Sequence, residues 1–254
     1  MADEPQFGQA LPPDTVGLLE GLTSTRAIRR FRPDPIPDED LAAMLFAATR
    51  APSGSNRQPF RFLVLRDGPN AREAKKLLKR SLEKIWETKR VYEGFDRAAV
   101  ERAKSRKARV DAAMFHLIDH FEEVPVVVLA CLVRYRKPTI GEGMSIYPAC
   151  QNLLLAARAL GYGGVLTGYH GHVEKELREL LHIPEGTAIH STIPLGRPQG
   201  GHGAVRRRPL SALVFDDVWE DPAPWALDPP GTRFVLGVPR LPAPPSEDND
   251  GAAP

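Results

Sequence analysis

Residues 51–65 read APSGSNRQPFRFLVL, a polar loop followed directly by an apolar run. Serine, glycine and asparagine cluster between Pro52 and Pro59, and this composition is typical of a turn because such residues hydrogen-bond their own backbone or tolerate positive φ. The run from Phe60 to Leu65 is short, aromatic and branched, which predicts a mostly buried strand. The stretch therefore predicts a polar loop, rich in N–H, hydroxyl and amide groups, at the start of a core strand.

A helix is predicted immediately before this loop. Pro37 is followed by three acidic residues at 38–40, and negative charge near a helix N-terminus is stabilised by the helix dipole. The apolar residues that follow have the i, i+3, i+4, i+7 spacing of one helical face: Leu41, Met44, Leu45 and Ala48. The helix is expected to end near Pro52.

The later chain predicts further core elements. Strands are predicted at 126–133 and 190–195, and an amphipathic helix at 173–182. Residues 146–160 form a helix that is apolar nearly all round, so it is buried in the core or against another subunit. Gly161 is a plausible cap for its C-terminus.

Residues 71–121 read as a helical excursion with many charges. Between Arg72 and Arg109 there are fourteen basic and six acidic residues, an excess of eight positive charges. A solvated helical face explains this composition most simply. A basic lid over an anionic cofactor or substrate is the second interpretation, and a nucleic-acid patch is the third, because aromatic residues are not interleaved and no binding motif is present.

Composition narrows the class of protein. The chain has 254 residues, 42% of them hydrophobic, and a net charge of +2, which gives no global sign of nucleic-acid or membrane binding. The longest apolar run, 126–133, is far short of the ~20 residues of a membrane helix. Residues 1–9 are polar, with no secretory signal, so the reducing cytoplasm is expected.

Other chemistries find little support in the sequence. Cys131 and Cys150 lack a metal or redox spacing, and a cysteine in an apolar run usually behaves as a small buried hydrophobe. The pairs His170/His172 and His116/His120 have no further ligands at metal spacing, so no metal site is predicted. A G-x-S-x-G hydrolase element and a G-x-G-x-x-G dinucleotide motif are both missing.

Four stretches together resemble the nitroreductase family of FMN enzymes. Besides the loop at 51–62, residues 24–31 read STRAIRRF, residues 159–164 read ALGYGG ahead of Thr167-Gly168, and residues 206–210 read RRRPL. Members of that family carry R-R-S-x-R-x-F, then A-P-S-x-x-N-x-Q-P-W before a strand, then a small-residue helix ending in A-L-G, then R/K-x-R-x-P-L. The resemblance spans roughly residues 22 to 220.

The resemblance implies a fold and an assembly. The expected fold is α+β, a nitroreductase-like sandwich with a central, mostly antiparallel sheet flanked by helices, in an intertwined homodimer. Residues 1–21 are then an N-terminal extension, and residues 22–220 the FMN-binding domain, with 71–121 as a helical, basic lid insertion. Residues 221–254 contain nine prolines in 34 positions and are expected to form a C-terminal arm or tail.

The resemblance also implies where FMN binds. Arginine forks make charge-assisted hydrogen bonds to phosphate, so Arg26, Arg206 and Arg208 are candidate phosphate ligands. Arg29 matches the cation beside the pyrimidine edge, where reduced flavin carries negative charge over N1 and O2. No acid, base or nucleophile is predicted, and Arg29 is the electrostatic stabiliser. The expected cofactor-binding positions are Arg26, Ala27, Ile28, Arg29, Pro52, Ser53, Gly54, Ser55, Asn56, Gln58, Leu166, Thr167, Gly168, Arg206 and Arg208.

Two departures from the family pattern affect the expected phosphate pocket. Thr25 replaces the first arginine and Ala27 replaces the serine, so one phosphate ligand and one hydroxyl are missing. The aromatic residue after Gln58-Pro59 is Phe60, where tryptophan is commoner.

The expected activity is hydride transfer from NAD(P)H through FMN to a small electron-poor acceptor, such as a nitroaromatic, a quinone or an enone, by a ping-pong mechanism. Within the family the alternatives are cleavage of the flavin itself and reductive dehalogenation of an aromatic ring. Outside it they are a non-catalytic flavin carrier or sensor and a basic module that binds nucleic acid through residues 72–109.

Overall fold

A four-stranded antiparallel sheet forms the centre of the protein, in a computed structural model that describes residues 10–93, 95 and 106–235. Its strands follow the order β1-β2-β4-β3, so the two longest strands lie in the middle. The strands are β1 (Phe60–Leu65), β2 (Val126–Val133), β3 (Gly163–Gly164) and β4 (Thr187–Gly196). The predicted α+β class is confirmed.

Helices cover both faces of this sheet. They are α1 (Leu18–Ser24), α2 (Asp38–Thr49), α3 (Pro69–Tyr92), α4 (Arg106–Asp119), α5 (Tyr147–Ala159) and α6 (Glu174–Leu180). Short 3₁₀ turns lie at Gly54–Asn56, Phe121–Glu123, Ile140–Ser145 and Leu210–Ala212. The helix predicted to begin after Pro37 and to end near Pro52 is therefore present, as are those predicted at 146–160 and 173–182, with ends that differ by a few residues.

Strand β2 divides the core into two layers because alternate side chains point to opposite faces of a strand. Val128 and Ala130 pack on one face with α2 and α5, whereas Val127 and Leu129 pack on the other with α3, α4 and α6. Cys131 is buried in the second layer, and burial raises the pKa of its thiol to about 11, so it behaves as a core residue.

A β-bulge interrupts the pairing of the two central strands. Ala130 pairs with Ser191 and Cys131 pairs with Ile189, which leaves His190 without a partner in β2. A bulge bends its strand and redirects the extra side chain. His190 is accordingly half-buried between fully buried neighbours, at the edge of the core.

Helix α5 ends in a left-handed cap. Gly161 has φ of +78°, a conformation that glycine adopts without steric cost, and the N–H of Tyr162 donates to the carbonyl of Ala157 at 2.7 Å. The predicted role of Gly161 as a helix cap is confirmed. The chain then turns directly into the short edge strand β3.

Helix α5 has one core face and one open face. Cys150, Leu153 and Leu154 are buried against the sheet and α2. The opposite side lines an apolar groove of about 380 Å³ between α1, α2 and α5, with Leu18 and Phe46 on its walls. Within a single chain, therefore, α5 is buried on one side, and its other side is open to the groove.

The basic stretch pairs many of its charges with acidic residues on its own helices or on neighbouring elements. The ion pairs of α3 are Lys76–Glu73, Lys79–Glu122, Arg80–Glu176, Lys89–Glu93 and Arg90–Asp111, at 2.7 to 3.6 Å. Asp111 is buried and lies on α4, so the last pair joins the two long helices. This pairing favours the solvated helical face; residues 94 and 96–105 of the stretch lie outside the described residues.

Contacts divide the chain into two compact units, residues 1–203 and 204–254. In the second unit, Arg207 pairs with Phe234 in a parallel bridge, and the indole Nε1 of Trp225 donates to Asp216 at 2.9 Å. Residues 1–9 of the predicted extension and residues 236–254 of the predicted arm lie outside the described residues. Within the part of the chain that is described, no helix combines the length and apolar character needed to cross a bilayer.

Candidate functional site

Residues 26–32 run along the edge of the sheet and are fixed by their backbone. The N–H of Ile28 donates to the carbonyl of Gly164 in β3 at 3.0 Å, and the N–H of Arg32 donates to the carbonyl of Arg197 at 2.8 Å. The N–H of Gln199 returns a bond to the carbonyl of Arg30 at 3.1 Å. These bonds fix the direction in which the arginine side chains leave the chain.

Arg29 carries a buried donor that no described residue satisfies. Its side chain is half-buried, and its Nε is buried without a hydrogen-bond partner among the described residues. A buried donor without a partner costs free energy, so a structure that retains one commonly holds a ligand or an ordered water there. Arg29 also lines a cavity of about 110 Å³ with Phe31, His116 and His120.

Tyr169 lies next to Arg29. Its ring is buried, and burial raises the pKa of its hydroxyl to about 12, against the opposing influence of the nearby Arg29 guanidinium. The hydroxyl therefore stays protonated and neutral at physiological pH. Tyr169 was not among the predicted site residues, because an aromatic residue after Thr167-Gly168 gives no sequence signal of its own.

The predicted phosphate end of the first segment is open to solvent. Arg26 and Ala27 are exposed, whereas Ile28 is buried against β3. Thr25, which stands where the family has an arginine, donates its hydroxyl to the carbonyl of Gly21 at 2.7 Å and so closes the end of α1. The missing phosphate ligand is thus replaced by a helix-capping contact.

One wall of the candidate site lies next to β4 and is formed by Leu166, Thr167 and Gly168. The hydroxyl of Thr167 donates to the carbonyl of Thr192 at 2.6 Å, and the two backbones form an antiparallel bridge. Leu166 and Gly168 are exposed, and among the described residues no heavy atom beyond the two chain neighbours lies within 4 Å of the position that a Cβ at Gly168 would take. The backbone at Gly168 is therefore open to close approach by a flat ligand.

The loop at 53–58 holds a strained backbone at the surface. Ser55, Asn56 and Gln58 have φ of 53°, 50° and 49°, values that L-residues rarely adopt. Pro52 and residues 54–58 are exposed, and Ser53 is half-buried. Strained, exposed polar residues are typical of binding sites, where the surrounding structure fixes the conformation.

Contacts inside the loop explain how it keeps this shape. The hydroxyl of Ser53 accepts the N–H of Gln58 at 2.9 Å, and the side-chain amide of Gln58 donates to Oδ1 of Asn56 at 3.2 Å. Two outside residues also hold it: the N–H of Gly54 donates to Oγ of Ser145 at 3.3 Å, and the guanidinium of Arg57 lies 4.6 Å from the ring centre of Tyr135.

The predicted site residues thus fall into separate groups. Arg29 and the wall at 166–168 are brought together through the Ile28–Gly164 bond and Tyr169. Within the described residues, no hydrogen bond links the loop at 53–58 to the segment at 26–31. Arg206, which is exposed, and Arg208, which is half-buried, belong to the second compact unit.

Histidines near the site have structural contacts. His170 is buried, its Nδ1 lies 3.2 Å from Oγ1 of Thr192, and burial lowers its pKa, so the ring is neutral at physiological pH. His116 and His120 stack on each other at 4.4 Å. Among the residues that the structure describes, no group of three or more His, Cys, Asp or Glu side chains is arranged to hold a metal ion.

Comparison with solved structures identifies the fold class. A provisionally named nitroreductase from Desulfovibrio desulfuricans, solved in complex with FMN, superposes with a TM-score of 0.56 and 26% identity, over 80% of this chain and 97% of that one. The fold is therefore nitroreductase-like, as the sequence predicted. FMN, the cofactor expected for this chain, is the ligand of that structure.

Sequence comparison then establishes the family. The model of the Nitroreductase family matches residues 22–197, and the chain belongs to this family. An Archaeoglobus fulgidus protein, provisionally named NADH dehydrogenase/NAD(P)H nitroreductase, is 31% identical over 71% of this chain and 85% of its own. Iodotyrosine deiodinase of Thermotoga neapolitana is 30% identical over 68% of this chain and 84% of its own. Family membership supports a flavin-dependent oxidoreductase as the general activity.

Proposed function

We propose that the protein binds FMN non-covalently and uses NAD(P)H to reduce a small electron-poor acceptor, such as a nitroaromatic, a quinone or an enone. The proposal places this activity in the reducing cytoplasm, in keeping with two buried free cysteines. It rests on the family, on the FMN complex of the Desulfovibrio relative and on the site described above.

The observation that carries the proposal is the unsatisfied Nε of Arg29, whose neighbour Tyr169 directly follows the open Gly168. A half-buried guanidinium with a free buried donor fits a ligand that presents an oxygen or nitrogen acceptor. Gly168 leaves space for a flat ring within reach of the backbone. The pyrimidine edge of FMN offers both features, so the residues present fit the cofactor.

Each part of the site has its own task in this proposal. Arg29 stabilises the negative charge that reduction adds near flavin N1 and O2, and residues 166–168 orient the ring against the sheet. Arg26, Arg206 and Arg208 hold the phosphate, while residues 52–56 and Gln58 hold the ring edge. Bound FMN would supply the redox chemistry, accepting hydride from NAD(P)H and passing it to the acceptor in a ping-pong cycle.

The test begins with the visible spectrum of the purified protein. We expect yellow protein that releases FMN, and not FAD, on denaturation, and that consumes NADH or NADPH when a nitroaromatic or quinone is added. Colourless protein that cannot be reconstituted with FMN would refute the proposal. Protein that binds FMN but is reduced by neither nicotinamide would indicate a flavin carrier, and salt-dependent retention on DNA without flavin would indicate the basic module.

Reductive dehalogenation is the second candidate, favoured by the similarity to the Thermotoga deiodinase. It is tested by incubating the reduced protein with a halogenated phenol and measuring halide release. Halide release faster than nitroaromatic reduction would favour the dehalogenase, and loss of the flavin spectrum that reoxidation by air does not restore would indicate flavin cleavage.

We further propose a homodimer in which the apolar groove beside α5 is covered by the partner. The groove exposes Leu18 and Phe46, and an open apolar surface of this kind on a soluble chain commonly marks an interface. Leu155→Asp, which changes a residue lining the groove, should convert the dimer to a monomer by light scattering. Val91→Asp, a change at an exposed apolar residue outside the groove, is the control.

A further inference from the structure

The loop at 53–58 is held by a segment distant from it in sequence. Ser145 accepts the N–H of Gly54, and Tyr135 lies beneath the guanidinium of Arg57, so the two outside contacts come from the two ends of the segment 134–145. Whatever fixes the ends of that segment relative to each other also fixes the loop. The strained φ values at Ser55 and Asn56 make such support necessary, because isolated residues would relax from this conformation.

A two-pronged ion pair joins the ends of this segment. Nε of Arg134 donates to Oε2 of Glu142 at 3.0 Å, and the NH2 group of Arg134 donates to Oε1 at 2.7 Å. This geometry of two parallel hydrogen bonds is more directional than a single contact. It fixes the position of the Glu142 carboxylate, whose side chain is only 17% exposed. The bonds from Arg134 lower the pKa of Glu142, so the carboxylate remains charged in neutral solution.

The bulge in β4 brings a third group to the same carboxylate. Nε2 of His190 lies 3.2 Å from Oε1 of Glu142, and the Tyr147 ring stands edge-on to the imidazole at 5.7 Å. His190 reaches Glu142 because it has no pairing partner in β2. The next residues of β4, Ser191 and Thr192, hydrogen-bond the carbonyl of Thr167 at 3.1 and 2.8 Å.

We propose that Arg134, Glu142 and His190 form a positioning network that holds the loop at 53–58 in its ligand-binding shape. The bulged strand β4 also hydrogen-bonds Thr167, in the wall at 166–168. The network therefore fixes both surfaces that the proposed function assigns to FMN. The three residues touch neither surface directly and act through Ser145, Tyr135 and β4. This inference deepens the proposed function and rests on it for the identity of the ligand.

The first test measures the loop without any cofactor. Hydrogen exchange of the full-length, flavin-free chain should show residues 53–58 exchanging about tenfold faster in Glu142→Gln than in the wild type, because loss of the charged fork frees the end of the segment at Ser145. Glu176→Gln is the matched control, since Glu176 accepts a single exposed bond from Arg80 at 3.0 Å. Unchanged exchange in Glu142→Gln would overturn the inference.

The second test measures FMN affinity by quenching of flavin fluorescence. Glu142→Gln should raise the FMN dissociation constant about tenfold, or about 1.4 kcal/mol, whereas Glu176→Gln should leave it unchanged. Faster loop exchange with unchanged FMN affinity would also overturn the inference. If the wild type binds no FMN, the proposed function fails, and the exchange experiment still decides whether the network holds the loop.

A milder variant separates positioning from general stability. Ser145→Ala removes only the hydroxyl that accepts the N–H of Gly54 and leaves the ion pair intact. Combined with Glu142→Gln, it should weaken FMN binding by less than the sum of the single changes, because both act through the same contact. Additive effects would show that Glu142 acts elsewhere. Ser145→Ala alone also tests the contact if Glu142→Gln does not fold.

Discussion

The segment at 26–31 and the loop at 53–58 are both assigned to FMN, yet the protein holds them by different means. The first is fixed by backbone bonds between Ile28 and β3 and between Arg30, Arg32 and the chain just after β4, so its exposed side chains are not needed to hold the backbone. The second is fixed by side chains, including Ser53 and Ser145, around a strained backbone. Substitutions should therefore act on the ligand alone in the first region and on both shape and ligand in the second.

The largest effect is expected where the segment at 26–31 packs against strand β3. A Cβ at Gly163 would lie 2.5 Å from Cγ1 of Ile28, so Gly163→Ala must push the segment away from β3. We expect a loss of about 1–3 kcal/mol in unfolding free energy, with FMN binding lost as Arg29 moves.

The matched control for this change is Gly168→Ala. Among the described residues, its Cβ meets no atom within 4 Å apart from those of the two chain neighbours, so the unfolding free energy in urea should stay unchanged. FMN affinity should still fall, because the methyl group occupies the space proposed for the ring. Equal stability of the two variants would show that the segment is not held rigidly against β3.

The next largest effect concerns the phosphate contacts proposed for Arg26, Arg206 and Arg208. Arg26 is exposed, and Thr25 stands where the family has an arginine, so the remaining arginines should each contribute more. Arg208→Ala should weaken FMN binding by ~1.5–3 kcal/mol, a tenfold to hundredfold rise in dissociation constant. Arg207→Ala is the control, since Arg207 donates to the neighbouring carbonyl of Arg206 at 2.9 Å. If Arg207→Ala has the larger effect, the assignment within the RRRPL stretch is wrong.

A smaller effect distinguishes stabilisation of the reduced flavin by Arg29 from binding of the oxidised flavin. Arg29→Met keeps most of the apolar stem and removes the charge, which interacts little with neutral oxidised flavin and strongly with the anion formed on reduction. We expect the variant to stay yellow while its two-electron potential falls by ~30 mV, equivalent to ~1.4 kcal/mol, and its reduction by NAD(P)H slows.

Spectroelectrochemistry measures the potential, and stopped-flow absorbance measures the reduction rate. Arg30→Met is the control, because Arg30 is exposed and adjacent on the same fixed backbone. An unchanged potential in Arg29→Met would mean that this guanidinium does not face the flavin.

The two regions also differ in how far the sequence predicts them. The loop composition at 53–56 predicts a turn ahead of a strand, and the acids before Leu41 predict the start of α2; both are present. The sequence gives no sign that Ser55 and Gln58 adopt positive φ, because the contacts that stabilise them come from residues far along the chain.

The bulge at His190 escapes prediction for a related reason. The sequence predicts a strand at 190–195, and only the register against β2 shows that one residue of β4 is extra. The fork between Arg134 and Glu142 likewise depends on the turn of the intervening segment. Local patterns thus predict elements and caps, whereas side-chain networks depend on the packing of those elements.

The smallest expected effect tests whether the backbone of the loop at 53–58 is strained. Ser55 has φ of 53°, a region that costs an L-residue roughly 1–2 kcal/mol, whereas glycine adds ~0.5–1 kcal/mol of chain entropy to the unfolded state. Ser55→Gly should therefore raise the unfolding free energy by about 0.5 kcal/mol, measured in urea. Arg57→Gly, at φ of −71° and with its Tyr135 contact removed, should lower it. If both glycine variants lose stability equally, Ser55 is not strained, and the loop needs no support from the Arg134–Glu142–His190 network.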